Sequence, residues 1–448
     1  MDDSAPPDKS RHRAVPSSRI ARLGTFGRLA GGVAGGVLGE GARRLARGER
    51  PKMRDLLLTP GNVGRLADRL SHLRGAAMKL GQMISMDSGD FLPPELATIM
   101  AQLREQAHRM PPKQLGGVLE KEWGPDWKSR LAAFDANPIA AASIGQVHRA
   151  RLPDGTELAI KVQYPGVRES IDADVDNVAT LLRVSGVLPR ELDLGPLLAE
   201  AKSQLHEEAD YEREAAQMTR FADWLDGDAR YRAPRPVEAL TTRGILAMEF
   251  ASGVPIEALE GEPQSVRDAA MRDLIALTLR ELFEFGAMQT DPNFANYRYD
   301  RENERLVLLD FGAARDIAPE TAASYRTILA AGLAQDRAAV RRATIAAGFL
   351  GEAAAARHSA LVDRMIDIIV TEMNRPGPFD FGDRAFVATL REQGMEMAAD
   401  RATWHIPPVE TLFVQRKISG TALLAARLKA RVDVRELVRP YVADRAGV

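Results

Sequence analysis

Two short stretches carry the densest chemistry of the chain. Gln289-Thr290-Asp291-Pro292-Asn293-Phe294-Ala295-Asn296 offers a carboxylate and, five positions later, a carboxamide; Asp310-Phe311-Gly312 follows fourteen residues after Asn296. A hard divalent cation such as Mg²⁺ takes oxygen ligands, usually one or two carboxylates with phosphate oxygens completing the shell. A short loop can present one carboxylate to a reacting centre and a carboxamide oxygen to the metal. The apolar run Arg305–Asp310 reads as a strand whose end fixes the second carboxylate, and Gly312 lets the backbone turn away. Either segment alone also reads as a loop cap or a strand-end aspartate. The ordered pair, with a strand before its second member, favours the metal reading.

The same order and spacing occur in protein kinases, with a catalytic-loop Asp, an Asn five residues on, and a separate Asp-Phe-Gly. The phosphate-gripping half belongs earlier in the chain. Leu158-Ala159-Ile160-Lys161 puts a lysine in an apolar strand, as in the Val-Ala-Ile-Lys strand whose lysine holds the α- and β-phosphates. A lone strand lysine is more often a snorkelling surface residue; its place ahead of Asp291 and Asp310 reverses that preference. Where a kinase has a glycine-rich loop stands Pro138-Ile139-Ala140-Ala141-Ala142-Ser143-Ile144-Gly145-Gln146. Its backbone N–H groups can still face phosphates, while the alanine methyls predict a tighter nucleotide pocket.

The elements that must position these residues follow from periodicity. Val147–Leu152 and Glu157–Val162 flank Pro153-Asp154-Gly155-Thr156 and read as a β-hairpin. Leu197–Leu225 reads as one long helical region with an acidic centre, and Gly244–Phe250 as a strand. From Val266 onward the pattern is mostly helical apart from Arg305–Asp310. Asn62 to about Met110 reads as helical, with Leu66, Leu73 and Leu80 on one stripe and Lys79 and Gln82 off it.

Composition removes whole classes. The 448 residues are 45 % hydrophobic and 27 % charged, with a net charge of −2 and no cysteine. That excludes a disordered scaffold, a disulfide framework, a thiolate zinc site and a surface built for nucleic acid. The histidines lack paired metal-ligand spacing. No stretch approaches the 18–20 apolar residues of a spanning helix. Twelve Lys or Arg stand between Lys9 and Arg54 against only Glu40 and Glu49, around a run with glycines at 27, 31, 35 and 39. Two readings stay open: a basic helix lying on an anionic membrane surface, and a flexible linker with a solvated arm. The acid-poor stretch Ser10–Thr25 also resembles an organellar transit peptide.

Six ordered motifs together resemble the UbiB-type atypical kinase-like family, closest to its coenzyme Q (ubiquinone) biosynthesis branch. They are Lys79-Leu80-Gly81-Gln82, Ala140–Gln146, Lys161–Val167, Glu208-Ala209-Asp210, Asp291–Asn296 and Asp310–Gly312. The resemblance spans roughly Leu57 to Val438. It implies an α+β, bilobed protein-kinase-like fold: after the basic, Gly-rich flexible or membrane-surface segment that composition marks over 1–55, 56–130 would be a helical extension carrying Lys79–Gln82, 131–252 a small N-lobe with an antiparallel sheet, and 253–448 a mostly helical C-lobe. ATP or ADP with Mg²⁺ would bind between the lobes. The resemblance further implies that Glu214 pairs with Lys161 and that Lys79, Gln82, Glu208 and Asp210 lie near the nucleotide. Ala140, Ala141, Ala142, Ser143 and Gly145 would line it, Asn296 and Asp310 would hold metal, and Asp291 would position or deprotonate the acceptor.

The expected activity is ATP hydrolysis or phosphorylation of a small or lipid-like molecule supporting ubiquinone biosynthesis. Partners would be nucleotide, a lipid or quinone precursor, an anionic membrane surface and other quinone-biosynthesis proteins, in the cytoplasm, at an inner membrane or in an organelle. Two departures disfavour protein phosphorylation. Asn293 stands where kinases carry a lysine, and Ala318-Pro319-Glu320 begins only six residues after Gly312, where it reads as a helix start. A true protein kinase and a non-catalytic, nucleotide-dependent scaffold remain the alternatives. The apolar run Leu412–Leu428, broken by Gln415, Arg416 and Lys417, reads as a core helix.

Overall fold

The computed structural model describes residues 75–77, 110–142, 144–184, 195–383, 389–390, 392–394, 397, 400 and 408–442. The basic amino-terminal arm and most of the helix expected over 62–110 lie outside them, although 75–77 are helical. The chain divides into two compact units: unit 1 runs to Ala216 and takes in Arg235–Phe250, and unit 2 comprises Gln217–Pro234 and Ala251 onward.

Unit 1 opens with α1 (Pro112–Trp123), which Pro112 starts with the φ a first turn requires. Strands β1 (Ala133–Phe134), β2 (Ala140–Ala141), β3 (Gly145–Arg151) and β4 (Glu157–Gln163) follow. After them come α2 (Val167–Val184), α3 (Gly195–Glu208) and α4 (Tyr211–Trp224), whose residues from Gln217 on fall in unit 2. Strand β5 (Tyr231–Arg232) belongs to unit 2, and β6 (Ile245–Glu249) returns to unit 1. The sheet is antiparallel, ordered β1-β3-β4-β6 with β2 also on β3, and Lys161 pairs with Val147 and Leu246. Leu115, Leu119 and Trp123 of α1 pack on Leu158, Ile160, Val162, Ile245 and Ala247, burying one sheet face.

The single helical region expected over Leu197–Leu225 is two helices. The break falls at Ala209-Asp210, where the Asp210 carboxylate accepts the Arg213 N–H at 3.0 Å and Gln163 Nε2 donates to the Ala209 carbonyl at 2.8 Å. An aspartate that bonds backbone three residues on starts a new helix in preference to continuing an old one.

Unit 2 is mostly helical, with short strands β7 (Val254–Pro255), β8 (Ala287–Gln289), β9 (Tyr297–Asp300), β10 (Arg305–Leu308) and β11 (Ala314–Asp316). Its helices include α5 (Gln264–Arg280), α6 (Pro319–Leu333), α7 (Arg337–Ala346), α8 (Glu352–Arg357), α9 (Ser359–Met373), α10 (Val409–Arg427) and α11 (Val434–Val442). The hairpin β9–β10 pairs Tyr297 with Leu308 and joins β5 and β7 in one sheet, while β8 pairs with β11. The hairpin strand β9 is absent from the sequence reading. Only Tyr297 and Tyr299 alternate inward over its four residues, too short a signal for a period-2 pattern. No helix among the described residues is long and apolar enough to cross a membrane.

A buried polar chain ties β3 to its surroundings. Gln146 Oε1 accepts the Met110 N–H at 2.9 Å, so its amide nitrogen faces His148 Nε2 at 2.8 Å and can only donate to it. The proton of His148 then sits on Nδ1, which donates to the Asp135 carbonyl at 2.8 Å. Burial pushes His148 below its ordinary 6.5. The unfolded chain takes up a proton near pH 6.5 that the fold refuses, so stability falls as pH drops below that value. His148→Gln should therefore be less stable than wild type at pH 7.5, with the gap narrowing from pH 7 to pH 5. The slope is at most about 1.4 kcal/mol per pH unit. Melting temperatures across that range check it; a constant gap would show that His148 does not titrate on unfolding.

Candidate functional site

In unit 1 the side chains meet around Lys161. Its Nζ lies 2.7 Å from Glu214 Oε1, with the lysine side chain 10 % exposed and the glutamate 1 %. The ammonium also stands 5.5 Å over the Tyr211 ring. Local geometry fixes the pair. Two residues beyond Lys161, Gln163 holds the Ala209 and Arg243 carbonyls at 2.8 and 3.2 Å, and the Tyr211 N–H donates to the Arg243 carbonyl. The first turn of α4 is thus pinned to the end of β4, and Glu214 arrives on the inward face at Lys161's height.

The acidic cluster around α4 is divided among basic partners. Glu207 pairs with Arg213 at 3.7 Å, and Asp210 and Glu212 pair with Arg243 at 3.6 and 3.7 Å. Glu208 ends α3, and Asp210 starts α4. In the alanine-rich loop Ala140 and Ala141 form exposed strand β2, and the Ala142 N–H donates to the Gly145 carbonyl at 2.9 Å, closing a tight turn. Gly145 is dictated by packing: a Cβ there would lie 2.4 Å from the Val162 carbonyl oxygen. Ser143, Lys79 and Gln82 lie outside the described residues.

Unit 2 assembles the second group. Thr290 donates to the Ala313 carbonyl through both its N–H (3.2 Å) and its hydroxyl (2.8 Å), anchoring the loop that follows β8. Asn293 Oδ1 accepts the Ala295 N–H at 3.2 Å and caps the 3₁₀ turn Phe294–Asn296. Asn296 Nδ2 then reaches Asp291, 3.2 Å from Oδ2 and 3.3 Å from the backbone oxygen. The Leu309 N–H donates to the Asn296 carbonyl at 3.0 Å, bringing the strand end before Asp310 alongside Asn296. Asp310 Oδ1 accepts the Gly312 N–H at 3.0 Å. Phe311 is buried, its ring 5.0 Å from that of Phe221, in a cluster with Phe285 and Trp224.

The donor chemistry suits Mg²⁺. Asp310 offers a carboxylate, and Asn296, whose amide nitrogen is turned to Asp291, offers a carbonyl oxygen. Among the described residues no group of three or more His, Cys, Asp or Glu forms a protein-only cage, and Mg²⁺ ordinarily completes its shell with phosphate and water.

The sequence reading leaves out Arg416. From α10 its Nη2 stands 3.4 Å from Asp291 Oδ1, with its side chain 7 % exposed. The neighbouring Lys417 is fully buried, 3.0 Å from Glu281 Oε2 and 2.9 Å from the Tyr297 hydroxyl. Burial pushes the Glu281 carboxyl up. It would push the Lys417 ammonium down, but Glu281 and Tyr297 hold that ammonium above its ordinary range. The available signal was the pair of cations interrupting an apolar helical run.

Residues 102–344 match the ABC1 atypical kinase-like domain. The chain is 40 % identical over 432 residues to the rat protein named atypical kinase COQ8B, mitochondrial, covering 96 % of this chain and 81 % of that one. To atypical kinase COQ8, mitochondrial, of Saccharomyces cerevisiae it is 35 % identical over 442 residues, covering 97 % and 87 %. The solved complex of Rv3197 with erythromycin from Mycobacterium tuberculosis is similar at a TM-score of 0.60 and 24 % identity. It covers 85 % of this chain and 95 % of that one, a likeness of fold. The antiparallel sheet of unit 1 and the helices of unit 2 are those of a protein-kinase-like fold, as the motifs imply.

Removing the carboxylate from a nearly buried ammonium costs about 3–5 kcal/mol. Glu214→Ala should accordingly lower the melting temperature of the whole chain by several degrees, and Glu214→Gln by less. Thermal unfolding followed by circular dichroism checks this; unchanged melting in Glu214→Ala would mean the pair is worth no more than a surface contact.

Proposed function

The chain belongs to the ABC1 atypical kinase-like family, on the branch of the COQ8 atypical kinases, and we propose that it is an ATP-dependent phosphotransferase supporting ubiquinone biosynthesis. The acceptor of the terminal phosphoryl group is water or a small or lipid-like molecule. The observation that carries this reading is the buried Lys161–Glu214 pair at 2.7 Å. An ammonium held rigid in a strand by a buried carboxylate is a phosphate grip, and its depth in the sheet makes little sense as a solubilising charge.

In this reading Lys161 holds the nucleotide phosphates, with Glu214 fixing its direction. Asn296 and Asp310 would hold Mg²⁺, which when bound neutralises charge on the phosphates. Asp291 orients the acceptor and takes its proton, its carboxylate steadied by the Asn296 amide. Phosphoryl transfer depends mainly on such positioning and charge neutralisation. Lys79, Gln82, Glu208, Asp210 and the 140–145 loop belong to the nucleotide surroundings in the same reading.

The segment after Gly312 supports a small acceptor over a protein. The Ala314 N–H bonds the Phe311 carbonyl, β11 pairs with β8, and the Ile317 N–H bonds the Gly286 carbonyl at 2.8 Å before Ala318 caps α6. No slack remains there for a loop that docks a peptide. The basic segment over 1–55 would serve as a peripheral contact with anionic lipid beside other proteins of quinone biosynthesis.

Phosphate release by the purified chain with Mg²⁺ and ATP, with and without quinone-precursor mimics and anionic liposomes, tests the proposal. Release should depend on Mg²⁺, rise with the lipid or precursor, and fall about 100-fold or more in Asp310→Asn and Lys161→Ala, the loss usual for one preorganised charge. Equal release by wild type and Asp310→Asn would overturn it. Transfer of labelled phosphate to a protein, abolished in Lys161→Ala, would make the chain a protein kinase instead.

A further inference from the structure

The loop from Asp291 to Asn296 contains no Lys or Arg, yet Asp291 has a cation beside it. That cation comes from α10, more than a hundred residues later, and three features of one helix bring it there. Arg416 directs its guanidinium at Asp291 Oδ1, 3.4 Å away. Lys417, fully buried, is clamped by Glu281 and the Tyr297 hydroxyl, and Tyr297 directly follows Asn296. At Gly420, one turn on from Arg416, a Cβ would lie 2.0 Å from the Cβ of Pro292. The helix backbone therefore rests against the residue after Asp291, an approach only glycine permits.

We infer that Arg416 is a positioning residue for Asp291: its guanidinium and the Asn296 amide each address one carboxylate oxygen, and the docking of α10 holds the guanidinium in place. A carboxylate addressed at one oxygen can swing about its Cβ–Cγ bond, whereas one addressed at both has a set plane. The side chain of Arg416 is nearly buried, so it has little freedom to leave. The directional N–H groups of a guanidinium also suit a carboxylate better than an ammonium would. The inference rests on the reading of Asp291 as the residue that orients the acceptor.

The test uses the full chain, MgATP and phosphate release, with Arg416→Met, Arg416→Lys, Asp291→Asn and the double variant Asp291→Asn/Arg416→Met. Arg416→Met should lower kcat about 10- to 100-fold with KM for ATP within about threefold, since the guanidinium acts on orientation and not on nucleotide binding. Arg416→Lys should recover part of kcat. In the Asp291→Asn background Arg416→Met should cost no more than about twofold further, because both changes act through one carboxylate. Should Arg416→Met fail to fold, the Arg416→Lys kcat and KM carry the comparison, with a kcat loss at constant KM expected. The inference is overturned if Arg416→Met, or failing that Arg416→Lys, keeps wild-type kcat while Asp291→Asn does not. Losses that multiply in the double variant would overturn it as well. Wild-type turnover by Asp291→Asn would instead sink the reading of Asp291 itself.

Discussion

A charged ammonium inside a β-sheet is the constraint that organises unit 1. Lys161 occupies an inward position of β4 flanked by Ile160 and Val162, both fully buried. Leaving its charge uncompensated there would cost several kcal/mol. Glu214 compensates it, and much of the neighbouring chain exists to bring Glu214 within reach. Gln163 grips the Ala209 carbonyl at the α3–α4 break, Asp210 starts the new helix, and Arg243 balances the acids that would otherwise repel one another at that helix's start. On the other face of the same strands, α1 packs against Ile160 and Val162 and so backs the stretch of β4 that carries Lys161.

Unit 2 solves the complementary problem of aiming oxygens. Its carboxylates and carboxamide sit on a loop and a strand end, where backbone bonds, not apolar packing, set direction. Thr290 ties the loop to Ala313, Asn293 caps its 3₁₀ turn, and the Leu309–Asn296 bond sets the register between the two oxygen-bearing segments. Behind them the buried Glu281–Lys417–Tyr297 group links the turn that follows α5 to α10 and β9. Such a group is costly to break and worth little as net stability. Its value here is that it gives α10 one seat against the Asp291–Asn296 loop.

Much of this was legible beforehand for identifiable reasons. The Pro153–Thr156 turn marks the hairpin because its residues have few alternatives, and the alternation of Glu157–Val162 announces a strand. Pro319 and Glu320 open α6 as their chemistry requires. The failures are equally physical. A helix over Leu197–Leu225 was plausible on periodicity alone; the break at Asp210 depends on partners at Gln163 and Arg243. Strand β9 was invisible because four residues carry too little pattern and its pairing with β10 supplies the rest. Arg416 and Lys417 looked like interruptions of an apolar stripe, since a buried ion pair cannot be distinguished from a solvated one until its partner is known.

Local chemistry therefore settled which atoms were on offer: the carboxylates and carboxamide, the strand lysine, the turns and caps, and the six motifs that placed the chain in its family. These are properties of residue type and short spacing, which the backbone expresses wherever it goes. Folding decided which of those atoms face each other. That Glu214, fifty-three residues on, answers Lys161, and that α10 lays Arg416 beside Asp291, follow from long-range packing. The direction of a side chain is set by everything that surrounds it, and no stretch of sequence contains its own surroundings.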